Sequence, residues 1–390
     1  MYINSFEIRY IIKSLLLIEI LFFTNFFYIK LYFLYLEEKI EFTKIEYYFT
    51  ICNENRQKKK IINKNKKPNI SIISPIFNRE KYISRFIKSV QNQNFDNIEL
   101  IFVDDNSNDN SVTKIENYEK EDERIILIKN KKKKGTLICR NLGVLYSKGN
   151  YLILPDPDDI ISKNILNICY KYVVKYQLEI IRFNTYKGKR RFVLGNIYKQ
   201  LEKKTIYQPK LKSYLFYGKG ELNRIDSSIH NKFIKRDTFI RALNILNKFY
   251  LNMYMIFGED VIMNFSLYST ANSFFFLKQI GYFYIPNTKS ITRNLINLLK
   301  LKDFMIELKF IFEYYKNTKY ERDISNTILK YIDNNYVINS NIIEKCEINE
   351  LSIYYNILKQ YLNCKYITND NKKTLKNIIT IIEIKIKKHN

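Results

Sequence analysis

Histidine occurs only twice in this chain of 390 residues, which excludes a His-rich metal centre. Cysteine is scarce and scattered: Cys52, Cys139, Cys169, Cys346 and Cys364 are odd in number and never spaced as C-x-x-C. That pattern supports neither a structural zinc site nor a disulfide framework, and leaves the cysteines as small apolar residues. The nine glycines build no G-x-G-x-x-G and no G-x-x-x-x-G-K-[ST] loop, which argues against a dinucleotide-dependent dehydrogenase or a P-loop NTPase. No small-residue cleavage site follows the apolar N-terminal stretch, so a removable signal peptide does not account for it. No internal repeat is present.

Acidic residues are outnumbered by basic ones, 39 against 65, for a net charge of +26. Lysine is interleaved with Asn, Ile and Tyr along the whole chain rather than gathered on one stretch. Zinc-finger spacing, helix-turn-helix punctuation and aromatic RNA-binding signatures are all missing, so no nucleic-acid partner is expected. A basic surface favours anionic membranes or anionic donors.

Apolar residues make up 46% of the chain, enough for a substantial core. The first part, residues 1–40, holds a dense apolar stretch at 11–36, long enough to span a bilayer at roughly 20 residues. Glu19 near its centre costs about 2.5–3.5 kcal/mol on an insertion scale, which the surrounding Leu, Ile and Phe offset. An N-terminal transmembrane anchor and a membrane location are therefore expected, with an amphipathic or core-packed helix as the alternative. Residues 41–67 read as a basic stalk, with Lys58-Lys59-Lys60 and Lys66-Lys67. Residues 68–290 alternate strand and helix patterns. Residues 291–390 read as a C-terminal helical extension.

Within 68–290 the apolar run Ile70–Ser74 predicts a strand ended by Pro75. The spacing of Tyr82, Ile83, Phe86, Ile87 and Val90 predicts a helix over 79–92. Strands are predicted at 98–103, 124–129, 151–154 and 179–183, with helices at 111–120, 136–147 and 162–176 between them. That β-α-β order predicts an α/β fold, a mostly parallel sheet with helices on both faces.

Two strand ends carry acidic clusters: Asp104-Asp105, and Asp156-Pro157-Asp158-Asp159. A parallel sheet places both at the carboxyl edge, where ligands bind in open α/β sheets. Carboxylates this close repel unless a cation or donor network compensates. A hard divalent cation, Mn²⁺ or Mg²⁺, bridging to phosphate oxygens answers that need. An acidic turn capping the next helix is the alternative.

These residues together resemble the family 2 glycosyltransferases, inverting enzymes of the GT-A (Rossmann-like) fold. The matching stretches are Ser71 to Tyr82, Gln91 to Phe95, Glu99 to Ser111, Arg140-Asn141-Leu142-Gly143, Lys148 to Tyr151 and the DxD-like Asp156-Pro157-Asp158. Weaker likeness continues through His230 to Arg236 and Gly258-Glu259-Asp260. The resemblance implies a nucleotide-sugar donor, a UDP-sugar, and an unassigned glycan, lipid or protein acceptor. It implies that Pro75 and Phe77 line the base and ribose, that Asp105 binds the base with Asp104 in support, and that Asp156 approaches the ribose or a metal-bound water. Asp158 would ligate the metal, Asp260 would act as general base, and Arg140 and Lys232 would contact phosphate. A nucleotidyltransferase acting on a sugar phosphate, or an inactive membrane-anchored scaffold, are the rival readings.

Overall fold

The computed structural model describes residues 67–187, 190–191, 205–208, 228–249, 255, 258–285 and 369–388, with isolated helical positions between 310 and 362. The expected N-terminal anchor and all but the end of the stalk lie outside the described residues. No helix among the described residues is long and apolar enough to cross a membrane.

The strands are β1 (Ile70–Ile76), β2 (Ile98–Asp104), β3 (Ile125–Lys129), β4 (Tyr151–Ile153), β5 (Ile160–Ile161), β6 (Ile180–Lys187), β7 (Arg190–Arg191), β8 (Thr205–Tyr207), β9 (Lys232–Lys235) and β10 (Ser273–Tyr284). The helices are α1 (Glu80–Gln91), α2 (Ser111–Glu121), α3 (Thr136–Tyr146), α4 (Ile165–Tyr176), α5 (Arg236–Phe249), α6 (Glu259–Thr270) and α7 (Asn369–Lys387). All strands join one sheet in the order β3-β2-β1-β4-β9-β6-β10-β5, with β7 on β6 and β8 on β10.

Strands β1 and β2 are apolar almost throughout because both of their faces are covered. Ile72 and Ile76 of β1 join a core with Ile83, Phe86 and Ile87 of α1 and Ile165 and Leu166 of α4. On the other face, Gly143 of α3 lies so close to the sheet that a Cβ there would stand 2.3 Å from Ile73 Cγ2. Helices therefore cover both faces, as the sequence predicts. Strand β1 runs past Pro75 to Ile76, further than expected. It pairs with β4 only over Ile70–Ile72, and beyond that point only β2 accompanies it. A residue without an N–H is tolerated where one side of the strand has no ladder to complete.

The expectation of a mostly parallel sheet needs correction. Strands β3, β2, β1 and β4 are mutually parallel, as are β6 and β10. Strand β9, however, runs antiparallel to both β4 and β6, and β5, β7 and β8 also pair antiparallel. Strand β9 starts at the end of the sheet where β4 and β6 finish and runs back between them, hence its antiparallel direction to both. The return brings residues 228–231 to the end where β1, β2 and β4 finish. The C-terminal extension is described at α7 and at single positions; Phe310 and Tyr314 set their rings edge-on to Phe265 of α6.

Candidate active site

The first two strand ends are cross-tied. Asn78 and Asn106 take left-handed backbone, φ 53° and 65°, which asparagine tolerates better than most residues. The Asn78 N–H donates to Ser107 Oγ at 3.0 Å, and Asn78 Oδ1 accepts the Asn108 N–H at 2.9 Å. Asp104 is buried and accepts the Ser107 N–H; burial pushes its carboxyl up, and the Ser107 contacts oppose the shift. Asp105 is buried too. Its oxygens accept the backbone N–H groups of Lys134 at 2.7 Å and Gly135 at 2.9 Å, and the Asn130 amide at 3.3 Å. Phe77 is half-buried, and Lys133 sets its ammonium 3.7 Å from the ring centroid. Pro75 sits in the last part of β1, opposite Val103.

Directly after β4 comes the acidic turn. Asp156 and Asp158 keep 32% and 20% of their side-chain exposure. Arg79 Nε stands 3.9 Å from Asp158 Oδ2, and Arg85 donates to the Asp158 carbonyl at 2.5 Å. Asp159 is turned inward and buried, and its carboxyl is pushed up to about 8 by desolvation and by Asp156. Donors on both of its oxygens, Tyr282 and the Ile285 N–H, work against that shift.

Arg140 joins this turn to a helix start over a hundred residues further along the chain. It lies on α3 one turn before Gly143, the point of closest approach to the sheet, and is 2% exposed. Its guanidinium holds Asp156 Oδ1 at 2.7 Å, pairs with Asp260 Oδ1 and lies 3.5 Å from Glu259. Burial works against the Arg140 charge, but Asp260, Asp156 and Glu259 outweigh it and hold the guanidinium further into its protonated range. Glu259 and Asp260 open α6 behind Gly258, whose φ of 79° makes the turn into the helix. Carboxylates are favoured at a helix N-terminus. Burial and the neighbouring Asp260 push Glu259 upward. Asp260 Oδ2 also accepts the Ile229 N–H at 3.2 Å, from the turn that leads into β9. His230 in that turn stacks on Tyr282 with centroids 4.3 Å apart, and desolvation lowers its pKa.

Arg140, expected from the family likeness to contact phosphate, instead joins the acidic turn to the Glu259-Asp260 helix start. The family model for glycosyl transferase family 2 matches residues 71–242. Residues 71–242 thus resemble a family 2 glycosyltransferase domain. Glycosyltransferase GlyG of Streptococcus pneumoniae is 32% identical over 117 residues, covering 30% of this chain and 39% of the relative. The Escherichia coli protein WfgD, named as a UDP-Glc:alpha-D-GlcNAc-diphosphoundecaprenol beta-1,3-glucosyltransferase, is 36% identical over 127 residues, covering 31% and 49%. This chain thus spans less than two thirds of the length of either relative. Among solved structures, S. aureus TarS 1–349 in complex with UDP-GlcNAc superimposes with a TM-score of 0.59 at 17% identity, over 82% of this chain and 88% of that one, a likeness of fold.

Of the residues singled out in the sequence, Arg140 is in direct contact with both Asp156 and Asp260, and Asp158 shares the turn of Asp156. Pro75, Phe77, Asp104 and Asp105 gather at the neighbouring strand ends. Lys232 is fully buried, with its ammonium on the Ser228 carbonyl and 3.1 Å from Asn231 Oδ1. Tyr282 and the Ile229 N–H were not singled out, and Asp159 was read only as a member of the acidic cluster, with no role of its own. Asp159 adjoins a recognisable motif, but Tyr282 lies in an aromatic stretch that reads equally well as core. No cluster of three or more potential metal ligands forms among the described residues.

Proposed function

We propose that this chain transfers a sugar from a nucleotide-sugar, a UDP-sugar, to an acceptor hydroxyl with inversion at the anomeric carbon. The observation that carries the reading is Arg140: one buried guanidinium holds the acidic turn through Asp156 and the α6 start through Asp260. On this reading a donor-side carboxylate and an acceptor-side carboxylate meet at one guanidinium. The name of the Escherichia coli relative adds the classes of substrate: a UDP-linked donor and a sugar acceptor carried on a diphosphate lipid. A lipid-borne acceptor also suits a membrane anchor at residues 11–36.

Asp156 and Asp158 fit Mn²⁺ or Mg²⁺, because both are part-exposed oxygen donors and such ions are held by one or two carboxylates completed by substrate oxygens. Asp158 would hold such a cation, which would supply neutralising charge to the diphosphate leaving group. Phe77 and Pro75 offer apolar surface to the base and ribose, while Asp104 and Asp105 shape the adjoining strand end. Asp260 takes the proton from the acceptor hydroxyl as the acceptor oxygen bonds to the anomeric carbon and the bond to the diphosphate oxygen breaks. Such a positioned base contributes about 10²–10⁴-fold.

The test is a panel of UDP- and GDP-sugars with Mn²⁺ and the full chain, scored for nucleoside diphosphate release. UTP with a sugar phosphate runs in parallel. Release of nucleoside diphosphate from a UDP-sugar supports the reading, whereas pyrophosphate release from UTP would replace it with nucleotidyl transfer.

A further inference from the structure

The acidic turn is closed by a residue far along the chain. The Tyr282 side chain, on β10, is completely buried. Its hydroxyl donates to Asp159 Oδ2 at 2.6 Å and accepts the Asp156 N–H at 3.0 Å. The other Asp159 oxygen accepts the Ile285 N–H at 2.8 Å. Within the turn itself, the Asp159 N–H reaches the Asp156 carbonyl at 3.3 Å, and Pro157 has no N–H to contribute. One phenolic oxygen therefore ties together the first and last residues of the turn. The ring is held independently of that oxygen. It stacks on His230, its residue pairs with Ile161 of β5, and the adjoining Gly281 has no room for a Cβ against Phe183 and Ile165.

We propose that Tyr282, acting through Asp159, is a positioning residue that sets the Asp156-Pro157-Asp158 turn for the diphosphate of the donor. The proposal rests on the glycosyl-transfer reading above. Side chains that bind a ligand work only when their own geometry is fixed by supporting hydrogen bonds. Here the support comes from a strand outside the segments that carry the acidic motif. A simple staple between β5 and β10 would affect stability alone. A positioning role also affects donor affinity in the folded protein.

Tyr282→Phe keeps the ring and removes only the hydroxyl. In the full-length protein, hydrogen exchange of the peptide covering Asp156–Ile161 is measured alongside calorimetry with UDP and Mn²⁺. Exchange at the turn should rise while β1 and β2 stay protected. UDP affinity should weaken by roughly three- to tenfold, the scale of one lost hydrogen bond. Asp159→Asn keeps a single acceptor oxygen and should weaken affinity over the same range. The double variant should lose less than the sum of the two single losses, because both break the Tyr282–Asp159 contact. Asp158→Ala separates the two readings. Unchanged UDP affinity in that variant overturns the donor reading itself. With Asp158→Ala impaired, unchanged exchange or unchanged affinity in Tyr282→Phe, or additive losses in the double variant, overturns the clamp alone.

Discussion

In the half of the sheet formed by β3, β2, β1 and β4, every neighbouring pair is parallel and each strand is a short apolar run from a nearby stretch of chain. In the half formed by β9, β6, β10 and β5, directions mix, and the contacts that matter join residues about a hundred positions apart. The parallel half supplies the acidic strand ends. The mixed half supplies what holds and opposes them: Asp260 at the start of α6, the Ile229 N–H and the Tyr282 hydroxyl. Arg140 belongs to the parallel half by sequence and to both by contact. The difference teaches that the first half makes an acidic edge and the second turns it into a two-sided site.

The largest effect should come from removing the acceptor-side group. Asp260→Asn should cut transfer by about 10²–10⁴-fold. UDP affinity with Mn²⁺ should change little by calorimetry, since the proposed donor contacts lie in the parallel half. Glu259→Gln is the control. If it is inactive while Asp260→Asn is fully active, the base moves by one residue, and two active variants reject the pair.

Breaking the link between the halves should come next. Arg140→Met leaves Asp156, Asp260 and Glu259 without their shared cation. Removing one partner of a buried ion pair typically costs about 3–5 kcal/mol. Urea unfolding should register that loss, and a loss below 1 kcal/mol would mean the carboxylates find other partners.

A smaller effect is expected where α3 meets the parallel half. Gly143→Ala puts a methyl group against Ile73 and should cost about 1–3 kcal/mol, the range for overpacking. It should also lower donor affinity, since Arg140 rides on the same helix. A wild-type melting temperature would show that the helix shifts freely.

The smallest effect tests the parallel half alone. Asp122, between α2 and β3, accepts from Arg124 at 2.9 and 2.8 Å and from Gln91 at 3.1 Å. Arg124 is the main cause holding its carboxyl down at about 2, below the ordinary 3.8. The unfolded chain therefore binds the proton more readily, so this contact stabilises above pH 3.8 and fades as pH falls through 2. Asp122→Asn should lower the urea midpoint slightly at pH 7, and the difference from wild type should shrink between pH 4 and 2. A difference independent of pH would trace the loss to packing instead.

The parallel half was legible because its signals are local. Ile70–Ser74 and Ile98–Val103 are unbroken apolar runs, the α1 apolar positions recur at helical spacing, and the paired aspartates directly follow strands. The mixed half was not, because the direction of β9 and the partner of Tyr282 are set by pairings between distant residues, which leave no periodicity behind. Arg140 shows the limit well. A phosphate contact was expected of it from the motif, but its burial among three carboxylates depends on where α6 begins. Lys232 likewise reads as a phosphate contact in one dimension and is enclosed beside Ser228 in three.

Lys133 resting on Phe77, while the next two backbone N–H groups occupy Asp105, has a thermodynamic corollary. If a nucleotide base takes the Phe77 face as proposed, the loop is a tethered competitor for that surface. Any ring that stacks on Phe77 must displace that ammonium, and its measured dissociation constant exceeds the intrinsic one by the inverse of the fraction of molecules with the loop withdrawn. On the proposed reading, a lysine outside the acidic turn thereby sets how much nucleotide is needed to fill the site.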